Sequence, residues 1–180
     1  MTLKAGFALG LAFAFAAVLP TFAEAHGPTR QKVKETIEIN APVDKVWAAI
    51  GNFQDMSWHP AVEKTEGEGG NEPGATRTLT LKGGAPVEEI LDRYSAENRM
   101  LKYRITKVAV EAIPVTNYSS TLSAEDAGGK TLVTWRGAFY RGYPNNDPPE
   151  NLNDAAAIKA VTGIYQAGLT ALKASLEAGG

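Results

Sequence analysis

The sequence predicts an α+β domain in which a curved antiparallel sheet of about seven strands wraps a long C-terminal helix, with one or two short helices after the first strand. Three patterns carry that expectation. Apolar and polar residues alternate in short runs between residues 33 and 141, glycine-rich turns separate those runs, and from Asn153 onward the apolar period changes to three and four.

The first run, 33–39, sets Val33, Ile37 and Ile39 on one face of a strand, with Glu35 sharing it. Asn40, Pro42 and Asp44 then supply a capping side chain, a proline suited to a first helical turn and an acid that a helix dipole favours. Val43, Val46, Trp47 and Ile50 follow at helical spacing, which predicts a short amphipathic helix ending near Gly51. A second short helical or irregular piece over 53–58 stops at Pro60. Strands are expected over 62–66, 76–81, 87–92, 100–108, 115–124 and 130–141, with Leu101, Tyr103 and Ile105 on one face of the fourth of these. In the final segment Ile158, Val161, Thr162, Tyr165, Leu169, Leu172 and Leu176 form a stripe, and only the inner face of the sheet is large enough to cover it.

The 180 residues carry 18 Lys+Arg against 20 Asp+Glu, a net charge of -2. An acidic chain without a basic run is a poor partner for nucleic acid. With no cysteine, a disulfide framework, a thiolate metal site and a catalytic thiol are excluded, and with 2 histidines a zinc site would need carboxylates for most of its ligands. The glycine pairs at 69–70, 83–84 and 128–129 sit at hairpin positions without the following helix that a phosphate site requires, and neither a GxSxG elbow nor an HExxH pair occurs. Residues 1–25 combine Lys4, an apolar run over 5–19, Pro20 and the small-residue site Ala23-Glu24-Ala25. That order is expected of a secretory signal peptide, leaving one soluble domain, 26–180, directed to the periplasm and not held in a membrane.

The stretch Ile39-Asn40-Ala41-Pro42-Val43-Asp44-Lys45-Val46-Trp47, continuing to Phe53 and Trp58-His59-Pro60, together with Pro73-Gly74-Ala75-Thr76-Arg77, Glu89-Ile90-Leu91, Tyr103-Arg104-Ile105 and Trp135, resembles the helix-grip superfamily of START-like and polyketide cyclase/dehydratase-like (SRPBCC) proteins. The resemblance spans essentially all of 26–180. It implies an elongated cavity between sheet and long helix that takes a small hydrophobic ligand. Within the superfamily, the leader, the His-Gly-Pro start at His26 and the Trp58-His59-Pro60 segment look most like the MxaD-type periplasmic accessory proteins of bacterial methanol oxidation. That likeness implies a non-enzymatic role without a cofactor, assisting methanol dehydrogenase and its meeting with a cytochrome c acceptor. A small-molecule carrier, or a cyclase/dehydratase-like enzyme using the same cavity, is the alternative.

Against that frame, His59 is a candidate acid, base or hydrogen-bond donor at the pocket mouth beside Trp58, and its ordinary role would be a packed histidine satisfied by a backbone carbonyl. Glu89 shares a strand face with Val87 and Leu91, so it points inward unless the register is reversed and Glu88 does. Inside, it would either act as an acid/base or pair with Arg77 or Arg104. Tyr103, Tyr118, Phe139 and Tyr165 are expected on the cavity wall or rim, and core packing is preferred for Trp47 and Trp135. The loop 140–149 carries Tyr140, Arg141 and Tyr143, residue types favoured at protein-binding hot spots, and would dock a partner unless it only stiffens the connection to the last helix. His26, as a first residue, would chelate copper through its imidazole and α-amine if it were not simply a frayed end.

Overall fold

The computed structural model describes residues 27–178. Residues 1–25, expected to form a signal peptide, and His26 lie outside the described residues. One sheet of seven antiparallel strands contains β1 (Gln31–Ile39), β2 (Val62–Glu68), β3 (Thr76–Leu81), β4 (Pro86–Ser95), β5 (Met100–Val108), β6 (Val115–Asp126) and β7 (Thr131–Arg141), in the spatial order β1-β7-β6-β5-β4-β3-β2. The chain therefore starts at one edge, crosses to the other through α1 (Val43–Ile50), and returns strand by strand until β7 pairs with β1. The long helix α2 (Asp154–Ala178) then packs on β1 and β7.

Each element follows from its local sequence. Val33 and Ile39 are buried while Lys32, Lys34 and Glu38 are exposed, as the alternation requires. In α1 the buried residues are Val46 and Ile50, and Gly51 closes the helix by returning its N–H to the Trp47 carbonyl. The cap expected from Asn40 is not made: Pro42 occupies the N-cap without a side-chain bond, and the Asn40 N–H is taken by Glu177 of α2. Residues 53–58 hold no second helix. They run as turns pinned by the Asn52 amide oxygen, which accepts the Gln54 N–H, and the Asp55 carboxylate, which accepts the Ser57 N–H.

α2 begins where Asn153 accepts the Ala156 N–H, and it buries Ala157, Val161, Tyr165, Gly168, Leu169 and Leu172. Ile158, expected on that stripe, is 38% exposed. The small Ala157 is buried instead. A 3-10 turn at Glu150–Leu152, unannounced by periodicity, precedes the helix. No helix among the described residues is long and apolar enough to cross a membrane.

Two irregularities position the interior. An unbroken β3–β4 ladder sets Arg77 of β3 directly opposite Glu89 of β4, while a register shift at Glu88/Glu89 in the β4–β5 pairing leaves Arg104 of β5 opposite Ile90. A second, between Thr116 and Ser119 in β6, holds Asn117 at φ 47 and turns Tyr118 inward.

Candidate functional site

A cavity of about 250 Å³ lies between the inner face of the sheet and α2, bordered by Met56, Leu79, Val87, Ile105, Ile113, Val161 and Ile164 on its apolar parts. Its polar wall consists of Arg77 and Glu89, a cluster of hydroxyls, His59 and the exposed Lys82.

The alternation that puts Val87 and Leu91 inside carries Glu89 with them, and the opposing strand brings Arg77 to meet it. The Arg77 Nε donates to Glu89 at 2.6 Å, its Nη1 donates to the Phe53 carbonyl at 2.7 Å, and its guanidinium lies 4.2 Å from the Phe53 ring centroid and 5.0 Å from that of Tyr103. Burial pushes the Glu89 carboxyl above its usual range, and the Arg77 charge and hydrogen bond pull it back. The pairing outcome thus holds for Glu89, with Arg77 as partner. Arg104 instead pairs with Asp92 on the outside of the sheet.

The hydroxyl cluster can be read proton by proton. Ser120 donates to the Arg136 carbonyl at 3.0 Å, so its oxygen must accept from Tyr165 at 3.0 Å, and Tyr165 must then accept from Tyr118 at 2.6 Å. Trp135 shares its indole N–H between Ser120 at 2.9 Å and Tyr103 at 3.1 Å. Tyr103 therefore accepts one bond, and no bond in the set takes its proton. Burial and the nearby Glu89 charge push the Tyr103 hydroxyl up to about 12, and burial raises Tyr118 and Tyr165 as well, so all three stay neutral phenols. The Tyr165 hydroxyl reaches this cluster because residue 137 is glycine, where a Cβ would overlap it. Its ring stacks on Trp135 at 4.3 Å.

His59 is held at both nitrogens. Its Nδ1 accepts the Ala61 N–H at 3.1 Å, which leaves Nε2 protonated and donating to the Ile164 carbonyl of α2 at 3.0 Å. Burial lowers its pKa despite that carbonyl. Gly168 lets the helix lie this close, since a Cβ there would run into the His59 ring and Trp135.

The cavity thus gathers His59, Glu89, Tyr103, Tyr118 and Tyr165. Two residues expected on it are elsewhere. Phe139 is fully buried behind Tyr118, stacked on it at 6.2 Å, because β7 has already passed beyond the cavity there. Trp58 is half-buried, packed on His59 and Trp135, and does not border the cavity. Trp135, expected in packing, borders the cavity as well.

Arg141 is not a docking residue: its guanidinium is turned inward, donating to the carbonyls of Tyr143 and Asn145 and to Asp154 of α2. Tyr140 is covered by Arg30 at 5.4 Å, and Tyr143 is half-buried. Two residues escape the sequence reading: Arg77 as a cavity residue, and Ser120, which is buried behind the cavity wall and binds Tyr165 and Trp135. Parity is the signal that reveals Ser120, a serine between Tyr118 and Leu122 on the inward face. Among the described residues no cluster of His, Asp and Glu could hold a metal ion.

Residues 30–177 match the family described as polyketide cyclase / dehydrase and lipid transport. No curated protein matches the sequence significantly. Among solved structures, the protein XoxI from Bacillus cereus is 29% identical, with 81% of this chain and 94% of that one covered and a TM-score of 0.69. A protein of Nitrosospira multiformis is 25% identical over 81% of this chain and 96% of that one, with a TM-score of 0.65. Ara h 8.0201, at 19% identity over 83% and 99% with a TM-score of 0.64, shares the fold. With a seven-stranded sheet gripping a long C-terminal helix and a family match across nearly all described residues, the chain belongs to the polyketide cyclase / dehydrase and lipid transport family of helix-grip proteins.

Proposed function

We propose that the protein works by binding, holding a small apolar molecule with one oxygen acceptor, and that it does no chemistry on it. One observation carries this reading: apart from the Tyr103 hydroxyl and the exposed Lys82, the acid/base groups on the cavity wall are already held by the protein. His59 has both nitrogens engaged, Glu89 is tied to Arg77, and the phenol protons of Tyr118 and Tyr165 run toward Ser120. A general base must be free to take a proton from substrate, and none of these is. What the wall offers is apolar surface, the Tyr103 hydroxyl and, on its exposed side, the Lys82 ammonium, which suits a ligand carrying a carbonyl, ether or hydroxyl oxygen. At the cell level the reading is of a secreted periplasmic protein that assists methanol dehydrogenase and its cytochrome c acceptor. The signal-like residues 1–25 and the MxaD-type segment around Trp58-His59-Pro60 support it.

The cavity is tested by calorimetric titration with 2-acetylnaphthalene and with 2-ethylnaphthalene, which lacks the acceptor. The ketone should bind more tightly. Tyr103→Phe should weaken the ketone about 5-fold, the equivalent of one ordinary hydrogen bond, and leave the hydrocarbon unchanged. Equal affinities in the two proteins would remove Tyr103 from the reading. The accessory role is tested by adding the 26–180 chain to methanol dehydrogenase and cytochrome c at two salt concentrations: a changed electron-transfer rate supports it, and a flat response in both sinks it.

A further inference from the structure

The outer face of the sheet carries a row of cations that no linear stretch of sequence displays. The strand registers place Arg93 of β4 opposite Lys102 of β5, Lys102 opposite Thr121 of β6, Thr121 opposite Arg136 of β7, and Arg136 opposite Lys34 of β1. With adjacent strands about 4.8 Å apart, the row spans roughly 20 Å and has a cation at every position but the central threonine. All four cations are exposed, and none forms an ion pair among the described residues. Lys32 and Arg30 extend the patch one row along.

Like charges directly opposite one another on a sheet are destabilising, and here two such pairs stand side by side in a chain whose net charge is negative. The outer-face acids do not relieve them: Asp92, Glu88 and Glu38 each hold another cation, namely Arg104, Lys107 and Lys130, and Glu125 stands two rows away opposite Leu132. Between the long cationic side chains, Ser119, Thr121 and Ala138 are short, which leaves a depression of about 320 Å³ rimmed by Lys32, Lys34, Lys102 and Arg136.

We infer that this face docks an acidic protein surface, its carboxylates meeting the cation row and its backbone or polar groups meeting the hydroxyls between. A single small anion would engage one or two of the cations, whereas a row this long fits a multivalent partner. A membrane surface would require apolar or aromatic anchors beside the charges, and single-stranded nucleic acid would require exposed stacking rings. The row itself has neither: its one neighbouring aromatic, Tyr140, is covered by Arg30, and the exposed Leu132 of the same face stands two rows away between Glu38 and Glu125. The inference stands independently of what the cavity binds, which lies on the opposite face of the sheet.

The test titrates poly-L-glutamate, vesicles containing phosphatidylglycerol, and oligo-dT into the protein, following backbone amide shifts by NMR. Poly-L-glutamate should bind with the strongest response on β1, β7, β6 and β5, and should weaken about 10-fold or more between 20 and 150 mM salt. The variant Lys34→Gln/Lys102→Gln/Arg136→Gln should lose at least 10-fold in affinity, while the charge-matched control Lys64→Gln/Lys107→Gln/Lys159→Gln keeps most of it. Because the row repels itself, the first variant should melt no lower than the parent. Equal loss in both variants, shifts mapping elsewhere, or a melting temperature that falls with the cations removed would overturn the inference. Tighter binding of vesicles or oligo-dT at the same residues would likewise overturn an acidic protein as the partner.

Discussion

The two faces of one sheet treat charge in opposite ways. On the inner face Arg77 and Glu89 neutralise each other at 2.6 Å and the neighbouring hydroxyls pass their protons along a single chain, whereas on the outer face Arg93, Lys102, Arg136 and Lys34 stand in register with no counter-charge among the described residues. Inside, desolvation makes an unpaired charge too costly to keep, so the polar groups that remain are those the fold satisfies. Outside, water tolerates the repulsion, and a charge pattern can persist that contributes nothing to folding. Polar residues inside therefore report on the cavity's architecture, whereas unpaired residues outside are left free by the fold and carry the proposal of a partner.

The contrast breaks most readily at the ion pair. Arg77→Leu leaves a buried carboxylate without its counter-ion and should cost about 3–5 kcal/mol, whereas Arg77→Leu/Glu89→Leu should recover most of that loss. Urea unfolding of the two variants checks it. If the single variant loses under 1 kcal/mol, the inner face tolerates an unpaired charge as the outer one does, and the distinction collapses.

Next in size is the contact between α2 and the polar wall. A methyl group at Gly168 must displace His59 or Trp135, so Gly168→Ala should destabilise by about 2 kcal/mol even though alanine favours helix. It should also disturb the bond from His59 to the Ile164 carbonyl, visible as a shift of the His59 ring resonances.

The strand order, the single long helix and the inward parity of Glu89 and Tyr103 were legible because alternation and period survive in the sequence whatever the fold does with them. The sequence leaves the partner of Glu89 open between Arg77 and Arg104, since register decides it: Arg77 meets Glu89 in a regular β3–β4 ladder, while a bulge in the β4–β5 pairing, which leaves no reliable trace in composition, sets Arg104 opposite Ile90. Arg141 was misjudged for a related reason. An arginine in a proline-rich loop reads as available, and its burial follows from Asp154 and the Tyr143 and Asn145 carbonyls, which only the folded chain brings round it. The cation row was invisible for the opposite cause: its members are scattered from residue 34 to residue 136, and four strand pairings are needed to assemble them.

His59 gives a smaller and pH-dependent effect. Its folded pKa lies below 6.5, so the unfolded chain takes up a proton first as pH falls. The stability that a neutral His59 contributes is present in full above pH 6.5 and is lost as pH drops below it, until the folded pKa is reached. The slope cannot exceed about 1.4 kcal/mol per pH unit for one group. Subtracting the stability of His59→Gln from that of the parent at pH 7.5 and 5.5 removes the shared contribution of every other group. The difference should shrink toward acid, and a difference that is flat or grows would mean that the ring is protonated in place, freeing it for acid/base work and undoing the claim that the protein already holds it.

The smallest effect lies on the outer side of α2, five residues before Gly168. Gly163 is exposed and nothing lies within 4 Å of where its Cβ would stand, so it has neither the close approach that Gly168 needs nor a positive φ to require glycine. Gly163→Ala should therefore stabilise by about 0.5–1 kcal/mol through the entropy of the unfolded chain, raising the melting temperature by a few degrees. Two identical substitutions on one helix would then carry opposite signs, set only by the face on which each falls. If both destabilise, α2 is covered on its outer side by something beyond residues 27–178, and the division between a satisfied interior and an open exterior would have to be redrawn around that contact.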